Sequence, residues 1–159
     1  MLSRGYDMLS KILVPVDGST QAEGALDYAI FLAKTCGASL GPIHVAQVPT
    51  NWSSPTIYSH SARLEDDRQT YLRMIEVIEA NGNDILAKAE AKAKAAGLKV
   101  EKIKESGHPA DRIVKVANDN GYDLIVMGSR GNSSIKEMLL GSVSHHVCQH
   151  AKCSVLVVR

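Results

Sequence analysis

The chain has 159 residues, of which 45% are apolar and 22% charged, and this composition suits one domain with a single sizeable core. A formal net charge of +1 gives no strong field that would attract nucleic acid or an anionic membrane surface. No apolar run approaches the roughly 18 residues of a membrane span, and the N-terminal segment is too short in apolar residues for a signal peptide. We therefore expect a cytoplasmic protein with a leader at residues 1–10 and one domain at residues 11–159, and Met8 is an alternative start.

The first half of the chain predicts a strand, a helix and a second strand. KILVPVD, Lys11–Asp17, is a short apolar run rich in β-branched residues, which predicts a strand buried on both faces. TQAE at residues 20–23 has the form of a capping box, and apolar residues at helical spacing follow it as far as Gly37. A second strand is predicted over residues 38–46.

Residues 48–67 are polar, rich in serine and carry two prolines, so they are predicted to form a long loop. A lid over a ligand and a disordered segment are both consistent with that composition. Apolar residues then recur every three or four positions from Ile75 to Ala96, and this helical repeat continues without a shift through Gly82. This pattern predicts one continuous helix, in which Gly82 costs about 1 kcal/mol relative to alanine.

The remaining segments complete an alternating order of strands and helices. Residues 98–106 alternate in polarity and predict an edge strand, and Pro109 opens a helix that Gly121 ends. DLIVMG is the most apolar predicted strand, Ser142 is predicted to cap a helix that ends near His150, and SVLVV is the last strand. This alternation predicts a parallel sheet with helices on both faces and right-handed crossovers.

Three glycines follow the DLIVMG strand, at positions 128, 131 and 141. Ligands of open parallel sheets bind beyond the carboxyl ends of the strands, where Asp17 also lies. Glycine accepts positive φ and lets phosphate approach the backbone. A loop of this kind can turn its N–H groups toward an anion. Gly141-Ser142 adds a helix N-terminus, which also favours an anion. The segment therefore offers two phosphate cradles. The alternative is a plain strand end followed by a turn and a helix cap.

These segments resemble the universal stress protein family from Lys11 onward. The family's G-x-x-G-x9-G-[ST] motif is matched by Gly128-Ser129-Arg130-Gly131, nine residues and Gly141-Ser142. KILVPVDGS, His44-Val45, GHPADRI, DLIVMGSRG and SVLVV also resemble the family in order and spacing. The resemblance implies an α/β, Rossmann-like (adenine nucleotide alpha hydrolase-like) fold with a five-stranded parallel sheet in the order 3-2-1-4-5.

The resemblance also implies a site for ATP, with ADP or AMP as alternative ligands and with Mg²⁺ left open. Asp17 is a candidate for holding that cation, and its structural alternative is a turn residue. For the apolar positions the alternative is core packing. The implied phosphate contacts are Gly128, Ser129, Arg130, Gly131, Gly141, Ser142 and Val143, and the implied adenosine contacts are Pro15, Val16, Asp17, Val45 and Met127.

A homodimer formed by pairing of the last strands, Ser154–Val158, is a further implication of the resemblance. The alternatives are an interior strand and an edge covered by other parts of the chain. The expected function is that of a nucleotide-responsive stress or regulatory module.

No catalytic constellation is predicted. The P-loop and the G-x-S-x-G elbow are absent from the sequence, so hydrolysis is expected to be slow at most. A slow ATPase or nucleotidyl-transfer enzyme and a nucleotide-free interaction module are the alternatives, although Asp17-Gly18-Ser19-Thr20 departs from the S-G-G-x-D-S loop of adenylating relatives.

Histidines and cysteines crowd the C-terminus and raise the question of zinc. A solvated histidine face with buried cysteines is the favoured interpretation, and no metal site is predicted. The odd number of cysteines favours reduced, mostly buried thiols. The residues concerned are His145, His146, Cys148, His150 and Cys153, with Cys36 elsewhere.

Overall fold

The computed structural model describes residues 9–48, 61–131 and 140–159. Strands and helices alternate along these ranges, as the sequence predicts. They are β1 (Lys11–Pro15), α1 (Thr20–Cys36), β2 (Ser39–Ala46), α2 (Ser61–Ala95), β3 (Ile103–Ser106), α3 (Pro109–Asp119), β4 (Leu124–Gly128), α4 (Ser142–His150) and β5 (Ser154–Val158).

The five strands form one parallel sheet in the order β3-β2-β1-β4-β5, which confirms the predicted topology. The chain builds outward from β1 to β3, then returns to the other side of β1 to add β4 and β5. The strand order therefore reverses between β1 and β4, and the crevice at their carboxyl ends is where sheets of this type bind ligands. β3 lies at an edge, as its alternating sequence predicts.

Helices cover both faces of the sheet. Ile12 and Val14 of β1 pack under α1 and α2, whereas Leu13 packs under α3 and α4. This division follows from the strand geometry, because successive side chains point to opposite faces. All three residues are fully buried, and burial of each such side chain is worth about 1.5–3 kcal/mol.

The connection from β1 to α1 differs in detail from the prediction. β1 ends at Pro15, two residues before the predicted end, and Ser19 rather than Thr20 is the N-cap of α1. The Ser19 hydroxyl accepts a hydrogen bond from Ala22 N at 3.2 Å, while the Asp17 carboxylate accepts from Ser19 N at 3.0 Å. This pair of bonds closes a turn immediately after the strand and moves the helix start by one residue.

The helix α2 is continuous from Ser61 to Ala95, which confirms one uninterrupted helix through Gly82. The loop predicted over residues 48–67 is wrong from Ser61 onward. Alanine, arginine, leucine and glutamate in residues 61–67 are good helix formers, so the helix includes a segment whose sequence shows no apolar period. Residues 49–60 and 1–8 lie outside the described residues, so a lid and a leader stay predictions.

The helix α4 begins one residue earlier than predicted. Gly141 is its N-cap and Ser142 is its first residue, so Ser142 is not the capping residue. Gly141 N donates to Ser129 O at 2.8 Å, and this bond fixes the entry of the chain into the helix. This difference matters for the site, because a glycine cap has no side chain that could bond to the first N–H groups of the helix.

Candidate functional site

A cavity of about 460 Å³ opens at the carboxyl ends of β1, β2 and β4, beside the point where the strand order reverses. Its volume is in the range of small-molecule sites. Every predicted site residue except Ser129 lines it, namely Pro15, Val16, Asp17, Val45, Met127, Gly128, Arg130, Gly131, Gly141, Ser142 and Val143. The structure thus brings both halves of the predicted set together, and their contacts with a ligand stay a prediction.

Ser129 lies beneath the cavity and ties three parts of the site to each other. Only 1% of it is exposed. Its N–H donates to Val158 O at 2.7 Å, and its carbonyl oxygen accepts from Gly141 N at 2.8 Å and from Ser144 Oγ at 2.7 Å. Ser129 therefore joins β5, the segment after β4 and the start of α4. Its contact with phosphate stays a prediction.

Space, rather than backbone conformation, explains two of the motif glycines. The described glycines with positive φ are Gly18, Gly37, Gly97, Gly107 and Gly121, so the expectation of positive φ in the motif is wrong. A Cβ on the first motif glycine, at position 128, would lie 3.0 Å from backbone and side-chain atoms of the residue at position 21 on α1.

Gly131 faces Asp17 in the same tight manner. A Cβ on Gly131 would lie 2.5 Å from Asp17 Oδ2, closer than side-chain carbon atoms are found to such an oxygen. Asp17 Oδ1 in turn accepts from Ser19 N at 3.0 Å and from Ser19 Oγ at 2.5 Å. The turn role of Asp17 is therefore shown, and a cation at Asp17 stays a prediction.

Two N–H groups of the segment 128–131 are already donated inside the protein. Ser129 N bonds to Val158 O, and Arg130 N bonds to Gln21 Oε1 at 2.7 Å. The expected cradle of successive loop N–H groups is thus wrong for these two positions. Short internal bonds at both positions make this stretch a rigid wall of the cavity.

The N-terminus of α4 adds positive potential to the cavity, which Arg130 also lines. The first-turn N–H groups of a helix have no intrahelical acceptor, and the cap, Gly141, makes no side-chain hydrogen bond to them. Ser142 and Val143 belong to this turn and line the cavity. A helix start of this kind favours an anion by its N–H groups and by its partial positive charge.

His44 is a cavity residue whose contacts the sequence does not predict. It is 9% exposed, and its Nδ1 donates to Val16 O at 2.8 Å, since a carbonyl oxygen can only accept. Gly82 of α2 passes over the ring, where a Cβ would lie 2.7 Å from His44 Cδ2. Further lining comes from Ile78 and Asn81. These contacts join distant parts of the chain, so no local pattern could have indicated them.

The C-terminal histidines form a surface cluster. His146 Nε2 lies 3.1 Å from Asp111 Oδ1, His108 Nδ1 lies 3.3 Å from Asp111 Oδ2, and the rings of His146 and His150 stack with centroids 4.1 Å apart. Across the described ranges, no group of three or more His, Cys, Asp and Glu side chains is arranged to hold a metal ion.

The three cysteines are free thiols, but the prediction that they are mostly buried is wrong. Cys36 and Cys148 are exposed, since the first is the last residue of α1 and the second lies on the outer side of α4. Cys153 is half-buried, and burial raises the pKa of its thiol.

The fold and the cavity define a doubly wound α/β domain with a ligand cavity at its topological switch point. The chain belongs to the universal stress protein family, whose model matches residues 8–159. In the ranges that the structure describes, no helix combines the length and the apolar character needed to cross a membrane.

Relatives over the full chain support this assignment. The chain is 40% identical over 155 residues to the universal stress protein YxiE of Bacillus subtilis, an alignment that covers 96% of this chain and 100% of the relative. It matches the solved structure of the universal stress protein UspA from Lactobacillus plantarum with a TM-score of 0.77 and 25% identity, over 94% of this chain and 97% of that one. A universal stress protein solved in complex with cAMP matches with a TM-score of 0.66 and 28% identity, over 94% and 97% of the two chains.

Proposed function

We propose that this chain binds an adenine nucleotide and acts as a nucleotide-responsive regulatory module. The observation that carries the proposal is the shape of the cavity, in which an apolar wall from β1, β2 and β4 faces the N-terminus of α4. An apolar wall suits a purine, and a helix N-terminus suits a phosphate. The similar protein solved with cAMP, which is itself an adenine nucleotide, supports the proposal.

The two ends of the cavity divide the nucleotide between them. The base and ribose lie against the ends of β1, β2 and β4, along Pro15, Val16, Asp17, Val45 and Met127. The phosphates lie against the first turn of α4 and the segment after β4, where the absence of side chains on the glycines leaves room for them. The phosphate contacts are Gly128, Arg130, Gly131, Gly141, Ser142 and Val143, with Ser129 supporting them from below.

ATP is the favoured ligand over ADP and AMP. The phosphate end has two separate walls, α4 and the segment 128–131, which together suit a chain of phosphates better than a single one. Asp17 at the edge of this region supplies a carboxylate for a Mg²⁺ that bridges the phosphates, since Mg²⁺ in nucleotide sites is held by one or two carboxylates and phosphate oxygens.

The proposed output is a change in association of the protein, beginning with a homodimer through β5. β5 is an edge strand, Leu156 on it is 37% exposed, and α1, which packs over β4 and β5, exposes Tyr28 and Phe31. An apolar edge strand of this kind is a template for pairing with a second copy. Sedimentation velocity of wild type and Leu156→Lys, with and without Mg-ATP, tests this part. A dimer whose proportion changes with Mg-ATP and that the variant disrupts supports it, and an association state that Mg-ATP leaves unchanged refutes it.

Nucleotide content is the test of the main proposal. Protein purified without added ligand is denatured, and any released nucleotide is identified by mass spectrometry; calorimetry with Mg-ATP follows. Gly131→Ala places a Cβ 2.5 Å from Asp17 Oδ2, so the Asp17 carboxylate or the backbone at position 131 must move. Both line the phosphate end of the cavity, and the affinity for Mg-ATP should therefore fall.

Gly24→Ala is the matched control for Gly131→Ala. Gly24 lies in α1, and a Cβ there meets nothing within 4 Å, so affinity should equal that of wild type. A wild-type protein that is empty and also gives no heat with Mg-ATP would refute nucleotide binding. Equal affinity in Gly131→Ala and Gly24→Ala would instead refute the placement of the phosphates.

A further inference from the structure

Gln21 lies outside the cavity but holds its phosphate end. It is in the first turn of α1, and its Oε1 accepts from Arg130 N at 2.7 Å and from Ser129 Oγ at 3.2 Å. The backbone and Cβ of Gln21 also lie where a Cβ on Gly128 would come within 3.0 Å of them. One residue of α1 therefore lies against the last residue of β4, Gly128, and bonds to the two residues that follow it.

We propose that Gln21 is a positioning residue for nucleotide phosphates. The inference rests on the proposed function and adds a residue that does not itself line the cavity. Its carboxamide oxygen satisfies Arg130 N–H from the α1 side, and this bond sets the orientation of the peptide that leads to Gly131. Gly131 is the position that leaves no room for a side chain against Asp17, so a small rotation there alters the phosphate end of the cavity.

The chemistry of glutamine suits this role. Its carboxamide oxygen accepts two hydrogen bonds without adding negative charge beside a bound phosphate, which a glutamate at the same position would do. Its length is also suited to the gap, since it reaches from the helix backbone to Arg130 N while the backbone of α1 stays packed on Gly128. The adenosine end of the cavity is held by other bonds, among them those of His44 Nδ1 and Val16 N.

This separation predicts a selective effect. In Gln21→Met the side chain keeps its length and its helix propensity but loses the acceptor, so Arg130 N–H is left without its partner. We expect the affinity for Mg-ATP to fall about tenfold, because without this bond the free protein no longer holds the segment in its binding orientation, and binding must restore that orientation. The affinity for adenosine should stay within about twofold of wild type, since adenosine does not reach the segment 128–131.

The experiment is calorimetry of the full chain with Mg-ATP and with adenosine at millimolar concentration, for wild type, Gln21→Met and Thr20→Met. Thr20 is exposed in the same turn of α1 and does not line the cavity, so Thr20→Met is the matched control for the methionine side chain. Hydrogen exchange at Arg130 N–H, measured without ligand, should be faster in Gln21→Met than in Thr20→Met.

Each outcome decides the inference. Weaker ATP binding with unchanged adenosine binding and faster exchange at Arg130 supports it. Equal losses for ATP and adenosine assign Gln21 a general structural role and overturn it, as does ATP affinity equal to that of Thr20→Met or unchanged exchange at Arg130. A wild-type protein that binds neither ligand refutes the proposed function itself, and the inference falls with it.

Discussion

Gly82→Ala separates the two effects that a glycine in a helix can have. Gly82 lies inside α2, where alanine is favoured by about 1 kcal/mol over glycine on helix propensity alone. Its Cβ, however, would lie 2.7 Å from His44 Cδ2 and 3.0 Å from His44 Nε2. The ring cannot easily move away, because its Nδ1 is bonded to Val16 O at 2.8 Å.

The steric term should exceed the propensity term. Inserting a methyl group into a well-packed contact costs about 1–3 kcal/mol, and the propensity gain returns about 1 kcal/mol of that. Gly82→Ala should therefore lower the free energy of unfolding by up to about 2 kcal/mol. Gly24→Ala in α1 has open space around its Cβ and should raise the same quantity by up to about 1 kcal/mol.

Urea denaturation of both variants, followed by circular dichroism, measures the difference. The decisive background is His44→Ala, in which the ring is absent. Gly82→Ala should stabilise the protein there, because only the propensity term remains. A stabilised Gly82→Ala in the wild-type background, or a destabilisation of equal size in the His44→Ala background, would refute the steric explanation.

Two further predictions concern the core and the pH dependence. A Cβ on Gly41 of β2 would overlap the Tyr122 hydroxyl oxygen and lie 2.9 Å from Tyr122 Cζ. Gly41→Ala should therefore lower the free energy of unfolding by about 1–3 kcal/mol in chemical denaturation. If the loss were undiminished in a Tyr122→Phe background, the clash with Tyr122 would not be its cause. Partial burial acts to raise the pKa of the Asp123 carboxyl, but the hydrogen bonds from Ser10 and Lys11 outweigh it and hold the pKa below 3.8. The unfolded state then takes up a proton at higher pH than the folded state, so this stabilisation is present above pH 3.8 and is lost as the pH falls below it. In Asp123→Asn the free energy of unfolding should therefore decrease less steeply as the pH is lowered through this range. An unchanged pH dependence would show that the Asp123 carboxylate does not stabilise the fold in this way.

The sequence predicts the fold well because its patterns are local. Apolar β-branched runs such as Lys11–Asp17 and Ser154–Val158 mark strands, and helical spacing through Gly82 marks α2 as one helix, since each pattern involves neighbours along the chain. Predictions fail where polarity is used to infer a loop, as at residues 61–67. Residues with high helix propensity can extend a helix without an apolar period, so polarity alone does not mark where a helix begins.

The site is predictable only in part for a related reason. Alternation of strands and helices places Asp17 and the glycine segment at the same end of the sheet, so their convergence follows from topology. The bonds within the site do not, because they depend on which atoms meet across elements. Gln21 illustrates the limit: in the sequence it lies within a capping box, whereas in the structure Ser19 caps α1 and the side chain of Gln21 crosses to Arg130.

Glycine at position 141 needs a different explanation from glycine at positions 128 and 131. A Cβ there would meet its nearest neighbours at 3.5 Å, an ordinary contact, and its φ of −71° and ψ of 166° are open to any residue. Neither space nor conformation therefore requires glycine. What glycine omits is a side-chain acceptor: serine or aspartate at an N-cap would occupy an N–H group of the first turn and stabilise the helix by a few tenths of a kcal/mol over glycine. On the proposed function, α4 gives up that small stabilisation and keeps its first-turn N–H groups for phosphate oxygens, which links the composition of the motif directly to binding.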